Sequence, residues 1–139
     1  MKAAGDPSDL ELQILSLMWE KGPMTARAVL DRMPDGKKRA YTSILSTLQV
    51  MEKKSLLTHR VAGQAHVYRP KVGRSHVLGR LLGKLVEHVF GGNPSAAVQS
   101  LLQQTPVSAD ELAEIQRVVA EHAAAAKTNR REHDREGKR

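Results

Sequence analysis

The residues with most chemistry to offer lie between Lys37 and Lys54, in the stretch KKRAYTSILSTLQVMEKK. Ile44, Leu48 and Met51 recur at i, i+4 and i+7, which is one face of an α-helix. The opposite face carries Arg39, Thr42, Ser43, Ser46, Gln49 and Lys53. Short hydroxyls and an amide on such a face can reach base edges, while Lys37, Lys38, Lys53 and Lys54 at its two ends can reach phosphates. This is the chemistry expected of a DNA-recognition helix.

Other chemistries find less material. The chain has no cysteine, which excludes disulfides and thiolate metal ligands. His59 and His66 are two imidazoles without a third ligand at a recognised spacing, so neither a metal nor a cofactor is expected. No Gly-rich phosphate loop occurs, nor a Ser, His and carboxylate set at suggestive spacing, and the chain does not read as an enzyme.

The formal net charge of +7 is concentrated in one place. Residues 37–86 carry 11 Lys and Arg against a single acidic residue, a net of +10, whereas 1–36, 87–126 and 127–139 carry −2, −4 and +3. A basic block coinciding with an amphipathic helix points to a polyanion partner, double-stranded DNA. No run of about 18 apolar residues exists and the start, MKAAGDPSD, lacks the apolar stretch of a secretory signal. A soluble, cytoplasmic protein with no membrane insertion is expected.

The elements that must hold these residues follow from local signals. With one Trp, one Phe and two Tyr, the core has to be aliphatic, which favours helices. Ser8 and Glu11 form a capping box ahead of a helix with Leu10, Ile14, Leu17 and Met18 inward, ended by Gly22-Pro23, and Trp19 reads as a core anchor. Met24 makes a short extended link, and Thr25 caps a second helix through Ala28, Val29, Leu30 and Met33, stopped by Pro34. Asp35-Gly36 turns the chain into the basic helix, completing a helix-turn-helix order. Residues 56–61 and 65–69 flank Ala62-Gly63-Gln64 as a hairpin, where Arg60, Gln64, His66 and Arg69 offer donors to a nucleic-acid backbone or minor groove. A basic hairpin after a helix-turn-helix is a wing.

Beyond Pro70 the pattern changes. Leu78, Leu82, Leu85 and Val89 form a stripe on a helix from Ser75 to Phe90, in which Gly79 and Gly83 would permit close backbone packing in a soluble assembly. Gly91-Gly92-Asn93-Pro94 breaks the chain before a short helix with Val98, Leu101 and Leu102, and Ser108 to Glu111 is a second capping box before a helix with Leu112, Ile115, Val119 and His122 on one face. These stripes are too poor in large groups to close a core alone, so a homodimer is expected through Leu78, Leu82, Leu85, Val89, Leu112, Ile115 and Val119. From Lys127 the chain is charged without apolar spacing and is expected to be disordered. The expected fold is mainly α with a small β wing. It comprises a winged helix-turn-helix domain over 1–70, a helical dimerisation domain over 71–126 and a charged tail over 127–139.

Four stretches resemble the penicillinase-repressor family of winged-helix transcription regulators, the BlaI/MecI type. They are LELQILSLMWEKGPMTARAV at 10–29, AYTSILSTLQVMEKKSLL at 40–57, HVYRP at 66–70 and VFGG at 89–92. The resemblance implies a homodimeric repressor on a palindromic operator, with the third helix reading the major groove through Thr42, Ser43, Ser46 and Thr47. It also implies relief by cleavage in the dimerisation region, often set off by a membrane-bound sensor protease responding to β-lactams. Where the family has its Asn-Phe cleavage pair this chain aligns Ser100-Leu101, and the cysteine-rich tail of the copper-responsive relatives is absent. The alternative class is an architectural DNA-binding protein, which shares the basic block but has little sequence preference.

Overall fold

The computed structural model describes residues 5–137. The chain forms two compact units that part between Val89 and Phe90. In the first, α1 (Asp9–Lys21) is opened by Ser8, whose Oγ accepts from the Glu11 amide at 3.2 Å while the Glu11 carboxylate accepts from the Ser8 amide at 2.8 Å. It ends at Gly22, whose φ of 94° only glycine adopts without strain. Thr25 then serves twice, ending β1 (Met24–Thr25) and capping α2 (Ala26–Arg32) through a bond from the Ala28 amide to its Oγ1 at 3.2 Å.

α3 spans Tyr41–Lys53, and β2 (Leu57–Ala62) and β3 (Ala65–Pro70) follow as the hairpin. The hairpin does not stand alone. β1 pairs with β3 antiparallel in the register Met24↔Tyr68 and Thr25↔Val67, giving a three-stranded sheet in the order β1-β3-β2. The two-residue extended link thus becomes the strand that locks the wing beside the start of α2. α4 (Arg74–Val89) completes the unit, with Val77 buried, the Trp19 indole donating to the Val72 carbonyl at 3.1 Å, and Asp6 pairing with Lys84 and, at 3.8 Å, with Arg80.

The core lies where α1, α2, α3 and the sheet meet. Ile14, Leu15, Val29, Ile44, Leu48 and Met51 are fully buried, with Leu56, Leu57 and Tyr68 beside them. Each such aliphatic side chain contributes about 1.5 to 3 kcal/mol through removal from water. One charged group joins them. Glu11 is 3% exposed, and Lys54 at the end of α3 donates to its Oε1 at 2.7 Å, tying the first turn of α1 to the last of α3.

The second unit holds α5 (Pro94–Gln104) and α6 (Ala109–Gly137). Asn93 caps α5, its Oδ1 accepting from the Ser95 amide at 3.1 Å. Ser108 Oγ accepts from the Glu111 amide at 3.1 Å at the head of α6. None of the described residues of α5 or α6 is buried.

Two expectations need correction. The tail from Lys127 is helical to Gly137, not disordered: Ala123 to Ala126 are strong helix formers, and Arg130 and Arg131 stand four and three residues before Asp134, spacing that supports a helix. The first unit extends to Val89 instead of closing at Pro70, because α4 is held to it by Val77, Asp6 and the Trp19–Val72 bond. Gly79 and Gly83 face open space in the single copy, where an added Cβ would meet nothing within 4 Å.

Burial works to raise the Glu11 carboxyl, but the bonds from Lys54 and Ser8 outweigh it and hold it below its ordinary value. A carboxyl depressed on folding stabilises above its unfolded pKa of about 4.3 and loses that contribution as pH falls through the folded value. Glu11→Gln is therefore expected to cost about 1 to 2 kcal/mol at pH 7, the Lys54 end being 34% exposed and partly screened. Urea melts at pH 7 and pH 3 check this, with wild type and variant converging at the lower pH.

Candidate nucleic-acid interface

α3 presents the surface that its apolar edge leaves outward. With Ile44, Leu48 and Met51 fully buried, Thr42, Ser43, Ser46, Gln49 and Lys53 are exposed. Thr47 is partly buried and its hydroxyl donates to the Ser43 carbonyl at 2.9 Å, which leaves its lone pairs to accept. The helix starts at Tyr41, with Ala40 at the cap position, which places Lys37, Lys38 and Arg39 in the approach to it and not on its face. Lys37 and Lys38 are exposed there.

Arg39 is not. Its guanidinium grips Asp35 with two parallel bonds, Nη1 to Oδ1 at 2.8 Å and Nη2 to Oδ2 at 2.6 Å, and the two side chains are 17% and 18% exposed. Asp35 also accepts from the Lys37 amide at 3.1 Å. The Arg39 guanidinium holds the Asp35 carboxyl well below the usual carboxylate range, and Asp35 in turn raises Arg39. A fork-to-fork pair of this kind fixes the turn between α2 and α3. Lys54, expected at a phosphate, is likewise committed to Glu11.

The wing residues divide between two faces. Side chains alternate along a strand, and paired residues share a face. The register His59↔Tyr68, Val61↔His66, Arg60↔Val67 and Thr58↔Arg69 puts His66, itself exposed, with His59 and Tyr68 on the face toward α3, and Arg60 with Arg69 on the other face. The His59 and His66 rings stack with centroids 4.3 Å apart, and His59 Nδ1 is bonded to the Glu52 carboxylate, which pins the hairpin to α3. Among the described residues no group of three or more His, Asp or Glu is placed to hold a metal. Gly63 and Gln64 form the two-residue turn, Gly63 at φ 64°, a first-position geometry that favours glycine.

Of the residues expected to dimerise, Leu82, Leu85 and Val89 on α4 are exposed at 58, 46 and 66%, while Leu78 is partly buried. On α6, Leu112 and Val119 are exposed and Ile115 is partly buried. Two exposed residues at α3 follow from no sequence pattern. Arg27 on α2 lies over the Tyr41 ring of α3, 4.9 Å from its centroid. They are separated along the chain and no helical spacing relates them; the packing of α2 on α3 across the turn pinned by Arg39 brings them together.

Comparison with known proteins is consistent across sequence and fold. Residues 7–121 match the family model described as "Penicillinase repressor". The chain is 30% identical over 115 residues to "Transcriptional regulator BlaI" of Mycobacterium tuberculosis, covering 81% of this chain and 82% of that protein. It is 22% identical over 122 residues to "Penicillinase repressor" of Bacillus licheniformis, covering 88% and 95%. A solved structure described as the complex structure of hsRosR-S4 shares the fold at a TM-score of 0.50 and 17% identity, covering 89% of this chain and 96% of that one.

The Arg39–Asp35 pair makes a double-variant test. Arg39→Ala and Asp35→Ala are each expected to lower Tm, and the double variant to lower it no further than the single ones, since either change removes the same pair. On duplex DNA, Arg39→Ala should leave the dependence of affinity on salt unchanged. A slope reduced by about 1 would make Arg39 a phosphate contact instead.

Proposed function

Because the chain belongs to the penicillinase repressor family, we propose that it is a transcriptional repressor, a homodimer binding a dyad-symmetric operator in double-stranded promoter DNA. The observation that carries the reading is α3 itself, with Thr42, Ser43, Ser46, Gln49 and Lys53 exposed on a helix whose other edge is fully buried. A rigidly backed helix of this kind fits the major groove, where hydroxyls and an amide can pair with base edges and Lys53, Lys37 and Lys38 with phosphates. Arg60 and Arg69 extend the phosphate contacts along the outer face of the wing.

Repression then requires two such helices about 34 Å apart, one turn of B-DNA, held by the dimer. The exposed Leu82, Leu85, Val89, Leu112 and Val119 supply apolar surface for that association. A half-site engaged by a single copy is weak; linking two converts the second contact into an intramolecular one. Any event that separates the copies therefore lifts repression. Cleavage at Ser100-Leu101 by a membrane-bound sensor protease is one such event, and that bond lies within α5, so it becomes accessible only after local opening of the helix.

Footprinting on the promoter region next to the protein's own coding sequence tests the reading, with a protected dyad of two half-sites as the expected result. Competition with random duplex separates it from an architectural DNA-binding protein, which random duplex would displace as readily as the promoter fragment. Leu112→Glu combined with Val119→Glu is expected to shift the protein from dimer to monomer in sedimentation and to weaken operator binding at least tenfold while leaving the winged unit folded. A monomeric wild type with a single half-site footprint would remove the dimer from the mechanism.

A further inference from the structure

We propose that Arg27, seated on the Tyr41 ring, is a phosphate contact in the groove between α3 and the wing, through which the backbone of one DNA strand runs. This rests on the DNA-binding reading above and names a residue and a path that the reading does not supply.

The groove is lined by Thr25, Arg27, Tyr41, Gln49, Gln64 and His66, with Leu45 and Tyr68 at its floor. Three independent parts of the fold set its walls. The pairing Thr25↔Val67 fixes the start of α2 against β3. The residues Tyr41, Leu45 and Gln49 stand at i, i+4 and i+8 along the edge of α3's exposed reading face, which Gln49 shares. Gln64 from the turn and His66 from β3 close the other side, His66 on the face opposite Arg60 and Arg69. A strand passing through the groove is thus out of reach of the two wing arginines, and its charge must be met by something else.

Arg27 is the cation in position to meet it. It is exposed, and no carboxylate pairs with it among the described residues, in contrast to Arg39 and Lys54, which Asp35 and Glu11 neutralise from within. The ring of Tyr41 4.9 Å below its guanidinium limits the rotamers it can sample without consuming its N–H donors. A guanidinium preorganised in this way, with free donors, suits the bidentate recognition of a phosphate. Beside it Gln64 is a further neutral donor to phosphate oxygens. The ligand class is therefore a phosphodiester backbone, recognised without reference to base sequence.

The test uses the full chain and fluorescence anisotropy on an operator duplex and a random duplex across a salt series. Arg27→Ala should reduce the slope of log affinity against log salt by about 0.9, which at 0.1 M salt is a loss of about eightfold, equal on the two duplexes. Arg27→Lys should restore the slope, and Tyr41→Leu should weaken both duplexes where Tyr41→Phe does not. An Arg27→Ala variant with wild-type Tm and an unchanged slope overturns the assignment, as does a loss confined to the operator, which would make Arg27 a base contact. A wild-type chain that binds neither duplex defeats the DNA reading itself and this inference with it.

Discussion

Burial of the inner edge of α3 is the constraint on which the rest of the structure depends. Ile44, Leu48 and Met51 are each at zero exposure, and no rotation of the helix can hide them without presenting Thr42, Ser46, Gln49 and Lys53 outward. A slip of one residue would turn the helix by about 100° and bury hydroxyls in an aliphatic core, at about 1 to 3 kcal/mol for each left without a partner. The orientation is fastened at both ends by charge-assisted bonds. The Arg39–Asp35 fork fixes where the helix begins, and the Lys54–Glu11 bond fixes where it ends against α1. A recognition surface of short side chains has little reach, so it depends on a helix that does not rock.

That fastening alters the meaning of the basic block. Residues 37–86 carry a net +10, but Arg39, Lys54, Arg80 and Lys84 all have carboxylate partners in the folded chain. The partners Asp35, Glu11 and Asp6 all come from the first 36 residues, the mildly acidic segment. Acidic residues early in the chain therefore divide the later cations into a structural set and a free set. Lys37, Lys38, Lys53, Arg60 and Arg69 belong to the free set, and they surround α3 and the outer wing. Charge counted along the chain overstates what a polyanion can reach, because two cations on one amphipathic helix can have opposite employment.

Much of this architecture is legible in the residues because local signals agree with the fold. The Ser8–Glu11 box, the Thr25 cap, the i, i+4, i+7 spacing of α3 and the Gly63 turn each act over a few residues, and each element forms where its signal stands. What escaped is what depends on distance. Arg39 spaces well with the donor face but lies before the helix, and its pairing with Asp35 is decided by the turn, not by periodicity. His66 and Arg69 read alike as hairpin donors, yet the strand register sends them to opposite faces. Arg27 and Tyr41 come together through the packing of α2 on α3 across the turn between them, and no spacing along the chain announces the pair. The helical tail has no apolar stripe to announce it, yet alanines and opposite charges three and four residues apart support a helix without one.

The second unit carries the same logic in reverse. α5 and α6 bury none of their described residues, while Val98, Leu101, Leu112, Val118 and Val119 remain between 41 and 59% exposed. Capping by Asn93 and Ser108 and the pairing of Arg117 with Glu114 and Glu121 favour the helices one by one. Such terms are worth a few tenths to about 1 kcal/mol each, too little to outweigh the ordering of two helices in water. The stabilising contribution must come from apolar surface that one copy leaves uncovered. A second copy offers the same surface under two-fold symmetry, so the association that would space two recognition helices on DNA would also be what holds α5 and α6 in place. On the proposed reading, folding of that unit and occupancy of two half-sites would form one coupled equilibrium, in which loosening the helices would also release the operator.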